Sequence, residues 1–266
     1  MAKLHLITLL TDFGTVDPYV AEMKGVILGI LPTATLVDIT HEIAPGDVLA
    51  AAFTLRQVLP YFPTGSVHCA VVDPGVGTPR KILAARYNGQ TVVFPDNGVI
   101  TLVDRDLPLE QIVSVRNDRY FSRKGVSPTF HGRDIIAPVA AHVCAGVGLG
   151  QFGPPTDKFH LLDLPLPRQE SSGLVGQVLH VDRFGNLISN IPADLLREKL
   201  GPAARLEVTC AGRNVGRIRA AYADASAGDA LALVNSMSLL EVAVMAGRAC
   251  EALAAGVGAE VRVGKL

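Results

Sequence analysis

The stretch VHCAVVDPGVGTPR, residues 67–80, predicts a buried strand that ends in a polar loop. Its first half is a short, mostly apolar run, which is typical of a strand inside a parallel sheet. Asp73 then stands at the carboxyl end of this strand, and Arg80 closes the stretch. Gly75 and Gly77 allow backbone angles that other residues avoid, so the loop between the two charged residues can close on a ligand.

The segments around this strand alternate between strand-like and helix-like patterns. In chain order they are residues 4–10, 19–31, 35–39 and 48–59, the second and fourth of which have apolar residues at helical spacing. This alternation predicts an α/β domain whose sheet is mainly parallel. Ligands of such sheets lie outside the carboxyl ends of the strands, where Asp12 and Asp73 both fall. Asn88-Gly89 adds a strong signal for a hairpin turn.

A stretch rich in proline, serine and glycine between residues 154 and 173 predicts a domain boundary. We expect an α/β domain at residues 1–165. Short strand-like segments follow one another in residues 172–266, which predicts a smaller, mostly β domain with a barrel-like or sandwich architecture.

The composition excludes several classes of protein. The chain has 266 residues, of which 49% are hydrophobic and 18% charged, so a disordered protein is excluded. The net charge of −1 and the absence of a Lys/Arg-rich run give no footprint for nucleic acid. No apolar stretch reaches the roughly 20 residues that span a bilayer. Four scattered cysteines and no spaced His/Cys/carboxylate set predict a reducing, cytoplasmic setting and no bound metal.

Asp73, Arg80 and His131 are the candidate catalytic residues. His131 lies in TFHGRD, residues 129–134. A carboxylate that hydrogen-bonds water, held by a guanidinium and an imidazole, has the elements of general-base chemistry. Sequence spacing does not prove that the three meet, and Asp73 has an alternative reading as a turn residue in Asp-Pro-Gly. Arg133 and Asp134 are expected to form a structural pair at the start of a helix.

Several motifs together carry a family resemblance. VVDPGVGTPR, PDNG and TFHGRD resemble the adenosine-forming S-adenosyl-L-methionine hydrolases, which are related to the S-adenosylmethionine-dependent fluorinase and chlorinase. The likeness extends, in order along nearly the whole chain, to TDFG (11–14), DITH (38–41), DRFGNLISNI (182–191) and NSMSLLEVA (235–243).

The resemblance implies that water attacks the ribose C5′ of S-adenosylmethionine and gives adenosine and L-methionine. S-adenosylmethionine is then the substrate, and no cofactor is needed. Asp73 and His131 would orient and deprotonate the water, while Arg80 would fix Asp73 and keep it ionised. The sequence leaves open which of Asp73 and His131 takes the proton.

The resemblance also implies substrate contacts in the first domain. Asp12 matches an aspartate that binds the ribose hydroxyls, and Asp17 matches an acidic position near the methionine portion. Asp17 has an equal alternative as the N-cap of the following helix, with Pro18 at its first position. Asn97, in PDNG, is expected to line the pocket, although Asp-Asn-Gly is also a common turn.

The second domain is expected to contact adenine and methionine. By resemblance, Asp182 meets the methionine amino group, Phe184 packs near the substrate, and Asn186 hydrogen-bonds adenine. Residues 182–186 also have the composition of a plain tight turn. Ser236 matches a serine that contacts the methionine carboxylate. Two positions depart from the related enzymes: Met237 replaces the arginine of the fluorinase, and Ser238 replaces the usual glycine.

Comparison with the halogenase branch favours hydrolysis. The fluorinase has tyrosine at the position of Asp73, Tyr-Ser at His131-Gly132, and tryptophan at Gly46. Each difference replaces a halide-binding wall with groups suited to water. The alternatives are an S-adenosylmethionine-dependent halogenase, a non-catalytic adenosine or S-adenosylmethionine binding protein, and a metal-dependent phosphoesterase. The resemblance further implies a homotrimer with its sites at subunit interfaces.

Overall fold

A computed structural model describes residues 5–265, apart from the side chain of Ala204. Leu4, the first residue of the predicted strand 4–10, lies outside the described residues. The chain divides into two compact units, one ending at Leu162 and the other beginning at Asp163. We call them the N-terminal unit and the C-terminal unit and describe each by itself.

The N-terminal unit contains a six-stranded mixed sheet. Its strands are β1 (Leu6–Thr11), β2 (Thr35–Thr40), β3 (Val67–Val71), β4 (Ile82–Tyr87), β5 (Gln90–Pro95) and β6 (Leu109–Ser114). They lie in the order β2-β1-β3-β5-β4-β6. The pairs β1–β2, β1–β3 and β3–β5 are parallel, whereas β4–β5 and β4–β6 are antiparallel. The expected mainly parallel sheet is therefore not confirmed.

The antiparallel part of this sheet follows from one tight turn. Asn88 and Gly89, between β4 and β5, have φ values of 47° and 69°. Two successive positive φ angles are typical of the two-residue hairpin turn that Asn-Gly favours. Because the hairpin reverses the chain, β4 must run against β5, and β6 then pairs against β4 at the edge of the sheet.

Helices cover both faces of the sheet and bury its side chains. They are α1 (Tyr19–Ile30), α2 (Val48–Val58), α3 (Thr101–Asp106) and α4 (Ala137–Ala145). Alternation along β1 sends Leu9 into the core with α1 and α4, and Leu10 into the core with α2 and α3. Helix α1 buries Met23 and Ile27, four residues apart, and ends shortly before Pro32.

The C-terminal unit is a closed barrel with one additional strand. Its strands are β7 (Arg168–Glu170), β8 (Gly173–Val181), β9 (Leu187–Pro192), β10 (Leu206–Cys210), β11 (Arg213–Arg219), β12 (Ala230–Val234), β13 (Leu239–Val244) and β14 (Glu260–Lys265). Seven of them, β8 to β14, close the barrel through the β14–β8 pairing, and β7 is added beside β8. Two short helices, α5 (Ala193–Leu200) and α6 (Ala249–Ala252), complete the unit. The predicted barrel-like domain is confirmed.

Within residues 5–265, every helix is too short or too polar to cross a membrane.

Candidate active site

Two predicted residues lie at the same edge of the N-terminal sheet. Strands β1 and β3 are parallel neighbours, and their last residues, Thr11 and Val71, are paired. Asp12 follows the end of β1 directly, and Asp73 follows the end of β3 after one further residue. Adjacent parallel strands end at a common edge, so the fold brings these two aspartates into the same region.

Asp73, Arg80 and His131 lie in one cluster, joined through the Arg80 guanidinium. Arg80 Nε donates to both carboxylate oxygens of Asp73 at 2.7 Å, and Arg80 Nη2 also contacts Asp73 Oδ2. The same Nη2 lies 3.0 Å from His131 Nδ1. Only 8% of the Arg80 side chain and 6% of the Asp73 side chain are exposed. The charged pair is therefore shielded from bulk water. Its attraction is stronger in these surroundings than it would be in water.

The guanidinium of Arg80 fixes the protonation of His131. A guanidinium only donates hydrogen bonds, so His131 Nδ1 must accept, and the proton of the neutral ring is then on Nε2. Burial, followed by the nearby Arg80 cation, lowers the pKa of His131. The neutral form is thus favoured at physiological pH. Arg80 Nη1 is also buried, and no described residue accepts a hydrogen bond from it.

A glycine packs the loop between Asp73 and Arg80 closely against the segment that leads to His131. Gly77 has a φ of +83°, and a Cβ on it would lie 2.9 Å from the carbonyl oxygen of Pro128. Any larger residue there would be strained and would push the two segments apart. The glycine that the sequence suggested for loop closure therefore has a specific geometric reason.

Aromatic rings join the loops that carry Asp12 and His131. Phe13 and Phe130, the neighbours of those two residues in sequence, pack edge to face with ring centroids 5.6 Å apart. Tyr19 contacts both rings, at 5.9 Å from Phe13 and 5.4 Å from Phe130. Such pairs favour this tilted geometry. The cluster holds the residue after Asp12 against the residue before His131.

Arg133 and Asp134 pair at the start of a helix, as predicted. Arg133 donates through Nε and Nη2 to the two oxygens of Asp134, at 2.8 and 3.0 Å, and reaches Glu22 through Nη1 at 2.7 Å. Asp134 also accepts from the backbone N–H of Ser127 at 2.8 Å. These bonds anchor both sides of His131 at the π-helical turn Gly132–Ile136. Turns of this kind are frequent at functional sites.

The remaining expected residues of the N-terminal unit have different surroundings. Asp12 Oδ2 accepts from the backbone N–H of Gly46 at 2.8 Å. Asp17 is exposed and does not cap α1, because the capping position belongs to Pro18 and has no side-chain hydrogen bond. The alternative role of Asp17 as an N-cap is thus wrong. Asn97 donates to the carbonyl oxygen of Val72, immediately before Asp73, at 2.7 Å.

In the C-terminal unit, Asp182 and Asn186 build a tight turn between β8 and β9. Asp182 Oδ1 accepts from the backbone N–H groups of Phe184 and Asn186, at 2.9 and 2.8 Å. Asp182 Oδ2 accepts from Asn186 Nδ2 at 2.9 Å. The turn leaves the Phe184 side chain 73% exposed. Residues 182–186 therefore form the tight turn that their composition predicted, and this turn places an aromatic ring on the surface of the unit.

Ser236 lies in a second turn, between β12 and β13. The side-chain oxygen of Asn235 accepts from the backbone N–H groups of Met237 and Leu239, at 3.0 and 3.1 Å. Ser238 has a φ of 57°, the left-handed region in which glycine is usual. Ser238 therefore has the backbone conformation expected of the glycine that it replaces. Ser236 is exposed at the surface of the turn.

Two family models match the chain. The model of the "SAM hydroxide adenosyltransferase N-terminal domain" matches residues 7–153, and that of the C-terminal domain matches residues 176–262. The chain belongs to the SAM hydroxide adenosyltransferase family.

Relatives of this SAM hydroxide adenosyltransferase family member carry two kinds of name. A protein of Salinispora arenicola named (R)-S-adenosyl-L-methionine hydrolase is 39% identical, over 99% of each chain. One of that name from Thermus thermophilus is 40% identical, over 96% of this chain and 97% of the relative. A fluorinase of Actinoplanes sp. is 28% identical over 90% of each. The crystal structure of an uncharacterized conserved protein from Thermotoga maritima superposes with a TM-score of 0.92, at 36% identity, covering 97% of this chain and all of the other.

One buried hydrogen-bond network of this family member was not predicted from the sequence. Glu241, in the middle of β13, is only 3% exposed. It accepts from the hydroxyl of Tyr222 at 2.5 Å and from Asn235 Nδ2 at 3.0 Å. Burial raises the pKa of Glu241, and the nearby Asp182 raises it further. A single acid inside the apolar run LLEVAV was the available signal, because an acid in such a strand requires a partner.

No group of three or more His, Cys, Asp or Glu side chains within residues 5–265 is arranged to hold a metal ion. The expectation that the protein needs no metal stays a prediction.

Proposed function

We propose that this protein hydrolyses S-adenosyl-L-methionine to adenosine and L-methionine. The observation that carries the proposal is the Asp73–Arg80–His131 cluster at the edge of the sheet, beside the loop of Asp12. Relatives of similar length that bear the name of a hydrolase share 39–40% of the sequence, compared with 28% for the fluorinase. We call the reaction hydrolysis because the Asp73 carboxylate can accept a hydrogen bond, and the proton, from a water molecule.

The reaction requires that water attack the ribose C5′ opposite the sulfonium sulfur. Sulfur leaves with the bonding electrons as the thioether of methionine, the water oxygen bonds to C5′, and one water proton must be removed. Proton removal by a positioned group contributes about 10²–10⁴-fold. Alignment of water with C5′ contributes on the order of 7–11 kcal/mol in the best cases.

The hydrogen-bond directions in the cluster support Asp73 as the proton acceptor. Arg80 occupies the Nδ1 lone pair of His131, so the ring offers an N–H at Nε2 and no second basic nitrogen. His131 is then a donor that orients the water oxygen. Arg80 Nη1 is buried and has no acceptor among the described residues. Asp73 is the group of the cluster left to accept the proton.

The charge of Asp73 argues against a halide as the nucleophile. A halide bound beside this carboxylate would meet a like charge in a region shielded from water, which is unfavourable. Water is neutral and donates a hydrogen bond to the same carboxylate. The halogenase alternative is accordingly the weaker one.

Product analysis tests the proposal. The purified protein is incubated with S-adenosylmethionine in chloride-free buffer, and the products are separated by chromatography. We expect adenosine and methionine, and a loss of at least about 100-fold in turnover for Asp73→Asn with substrate still bound. Asp157→Asn, the same change at an exposed position of the N-terminal unit, is the control. Full turnover by Asp73→Asn would refute the assignment. A 5′-halo-adenosine formed only with added halide would establish the halogenase instead.

We also propose that the enzyme works as a cytoplasmic homotrimer whose sites lie at subunit interfaces. Two observations support this: expected substrate contacts are present in both units, and the four cysteines form no disulfide, as is usual in a reducing compartment. Light scattering of the purified protein tests the assembly, and a monomeric mass would contradict it.

A further inference from the structure

We propose that His41 is a positioning residue for Asp12, and that it acts through a chain of hydrogen bonds ending in the loop after β1. The inference rests on the proposed function, because that function gives Asp12 the task of binding the ribose. Neither the general-base cluster nor the expected substrate contacts include His41, which lies in DITH at the end of β2.

The imidazole of His41 is buried between the end of β2 and the end of β1. It is 5% exposed, and its Nδ1 lies 2.8 Å from Thr11 Oγ1. The backbone N–H of Phe13 donates to the same Thr11 oxygen at 3.3 Å. Phe13 N–H uses one lone pair of Thr11 Oγ1, and the Thr11 hydroxyl donates its proton to His41 Nδ1 when the ring proton is on Nε2.

The other side of the ring faces a carboxylate. His41 Nε2 lies 3.1 Å from Asp38 Oδ1. The two atoms are close enough for electrostatic attraction, but their geometry is not that of a hydrogen bond. Lys24, from α1, donates to the other oxygen of Asp38 at 2.6 Å. Burial acts to raise the pKa of Asp38, but its contacts with Lys24 and His41 outweigh burial and lower it. The ionised Asp38 therefore favours the Nε2–H form of His41.

A bulge in β2 places His41 beneath the loop. Strands β1 and β2 pair in register up to Leu9 and Asp38, after which Leu10 pairs with Thr40 and one residue of β2 is skipped. Bulges redirect side chains and are frequent beside active sites. As a result the backbone carbonyl oxygen of His41 also accepts from Gly14 N–H, at 2.8 Å.

His41 thus holds the loop at both residues that follow Asp12. Its ring fixes Phe13 through Thr11, and its carbonyl fixes Gly14. Asp12 Oδ2 is itself tied to Gly46 N–H, and no described residue donates to Oδ1. The chain of bonds leaves one oxygen of a fixed carboxylate available to a ribose hydroxyl. Binding sites need this rigidity, because a displaced carboxylate loses the directional part of its hydrogen bonds.

The fold supplies a matched control on the same strand. Thr8 Oγ1 lies 2.8 Å from Nδ1 of the buried His68, the same contact at the same distance. That contact joins β1 to β3 within the sheet and does not reach the loop after β1. Thr8→Val and Thr11→Val each remove one buried Thr–His bond and keep the shape of the side chain, and Thr11→Val also removes the acceptor of Phe13 N–H. The two variants therefore differ chiefly in whether the loop is released.

The test measures ribose recognition directly. Calorimetric titrations with adenosine and with 2′,3′-dideoxyadenosine compare the full-length protein with Thr11→Val, Thr8→Val and Thr11→Ser. We expect Thr11→Val to bind adenosine about tenfold more weakly, the loss of roughly one well-made hydrogen bond, and to bind dideoxyadenosine as before. Thr8→Val and Thr11→Ser should keep the preference for adenosine. In turnover, Thr11→Val should raise KM for S-adenosylmethionine and change kcat little.

An unchanged adenosine preference in Thr11→Val would overturn the positioning role. If Thr11→Val does not fold, Asp38→Asn replaces it, because the Asp38 side chain is 42% exposed. The expected loss of preference is then a few-fold, and no loss overturns the role. Failure of the unaltered protein to bind adenosine and to form it from S-adenosylmethionine would remove the proposed function itself, and this inference with it.

Discussion

His68 is a neutral imidazole fully enclosed in the N-terminal sheet. It is 0% exposed, and Nε2 lies 2.8 Å from Gln90 Oε1. Gln90 Nε2 donates to the carbonyl oxygens of Leu59 and Phe62, so the Gln90 oxygen faces His68 and must accept. The ring proton therefore lies on Nε2, and Nδ1 is paired with Thr8. We expect acid to destabilise the protein through this side chain.

The size of the effect follows from the pKa of His68 in the folded state. Burial lowers the pKa of His68 from 6.5 to about 4, although the bond to Gln90 acts to raise it. Because the unfolded chain keeps the ordinary value, it binds the proton more tightly than the native state between these two values. The contribution of neutral His68 to the free energy of unfolding is present above pH 6.5 and is lost as pH falls towards 4. At 1.36 kcal/mol for each pH unit, the full loss is about 3 kcal/mol.

Urea unfolding followed by circular dichroism, between about pH 7 and pH 4.5, measures this loss. His68→Gln removes the titrating ring, so the stability gap between the unaltered protein and the variant should narrow by about 2–3 kcal/mol over that range. His5→Gln makes the same change at an exposed histidine, which contacts Thr33. Its effect on the free energy of unfolding is subtracted from that of His68→Gln. A gap that stays constant refutes the reasoning. So does a His68 ring resonance that titrates near pH 6.5 in the native protein, a measurement that needs no variant.

Three further outcomes follow from the structure. Because burial and a neighbouring cation lower the pKa of His131, the acid limb of the pH–kcat/KM profile should lie below 6.5, and a limb above that value would contradict its neutral role. Gly77→Ala and Gly65→Ala should each cost about 1 kcal/mol in urea unfolding, since both glycines have positive φ, of +83° and +89°. Only a Cβ on Gly77 would meet a carbonyl oxygen, at 2.9 Å, so turnover should fall in Gly77→Ala alone, and an equal fall in both variants would argue against loop displacement. Tyr222→Phe leaves the buried Glu241 short of one donor and should lower the free energy of unfolding by about 2 kcal/mol, whereas no change would show that the hydroxyl is dispensable.

The fold was predictable where local pattern and tertiary packing agree. The apolar runs that predicted strands and the helical spacing before Pro32 describe buried faces, and burial is what the structure shows for Leu9 and Met23. The direction of β4 and β6 was not predicted from the βαβ pattern. A hairpin signal at Asn88-Gly89 was visible, but its consequence for the whole sheet depends on which edge the hairpin joins.

The candidate site shows the same division. Asp73 and Arg80 are seven residues apart on one loop, so a short-range contact was a reasonable expectation. The contact of Arg80 with His131 joins positions 51 residues apart and could be seen only in the folded chain. The sequence also offered no sign that His41 supports the loop of Asp12, because a lone buried histidine has no distinctive spacing.

The sequence by itself determined the family, the reaction class and the identity of the polar groups, because its motifs contain the residue types that the chemistry requires. It also determined a β-rich unit after an α/β unit, since hydrophobic period and turn residues are local properties, whereas closure into a barrel depends on the long-range β14–β8 pairing. Only the tertiary structure decided the mixed direction of the sheet, the burial of the Asp73–Arg80 pair, and the tautomer of His131. These depend on long-range contacts, and the direction of a hydrogen bond is defined only when both partners are in place.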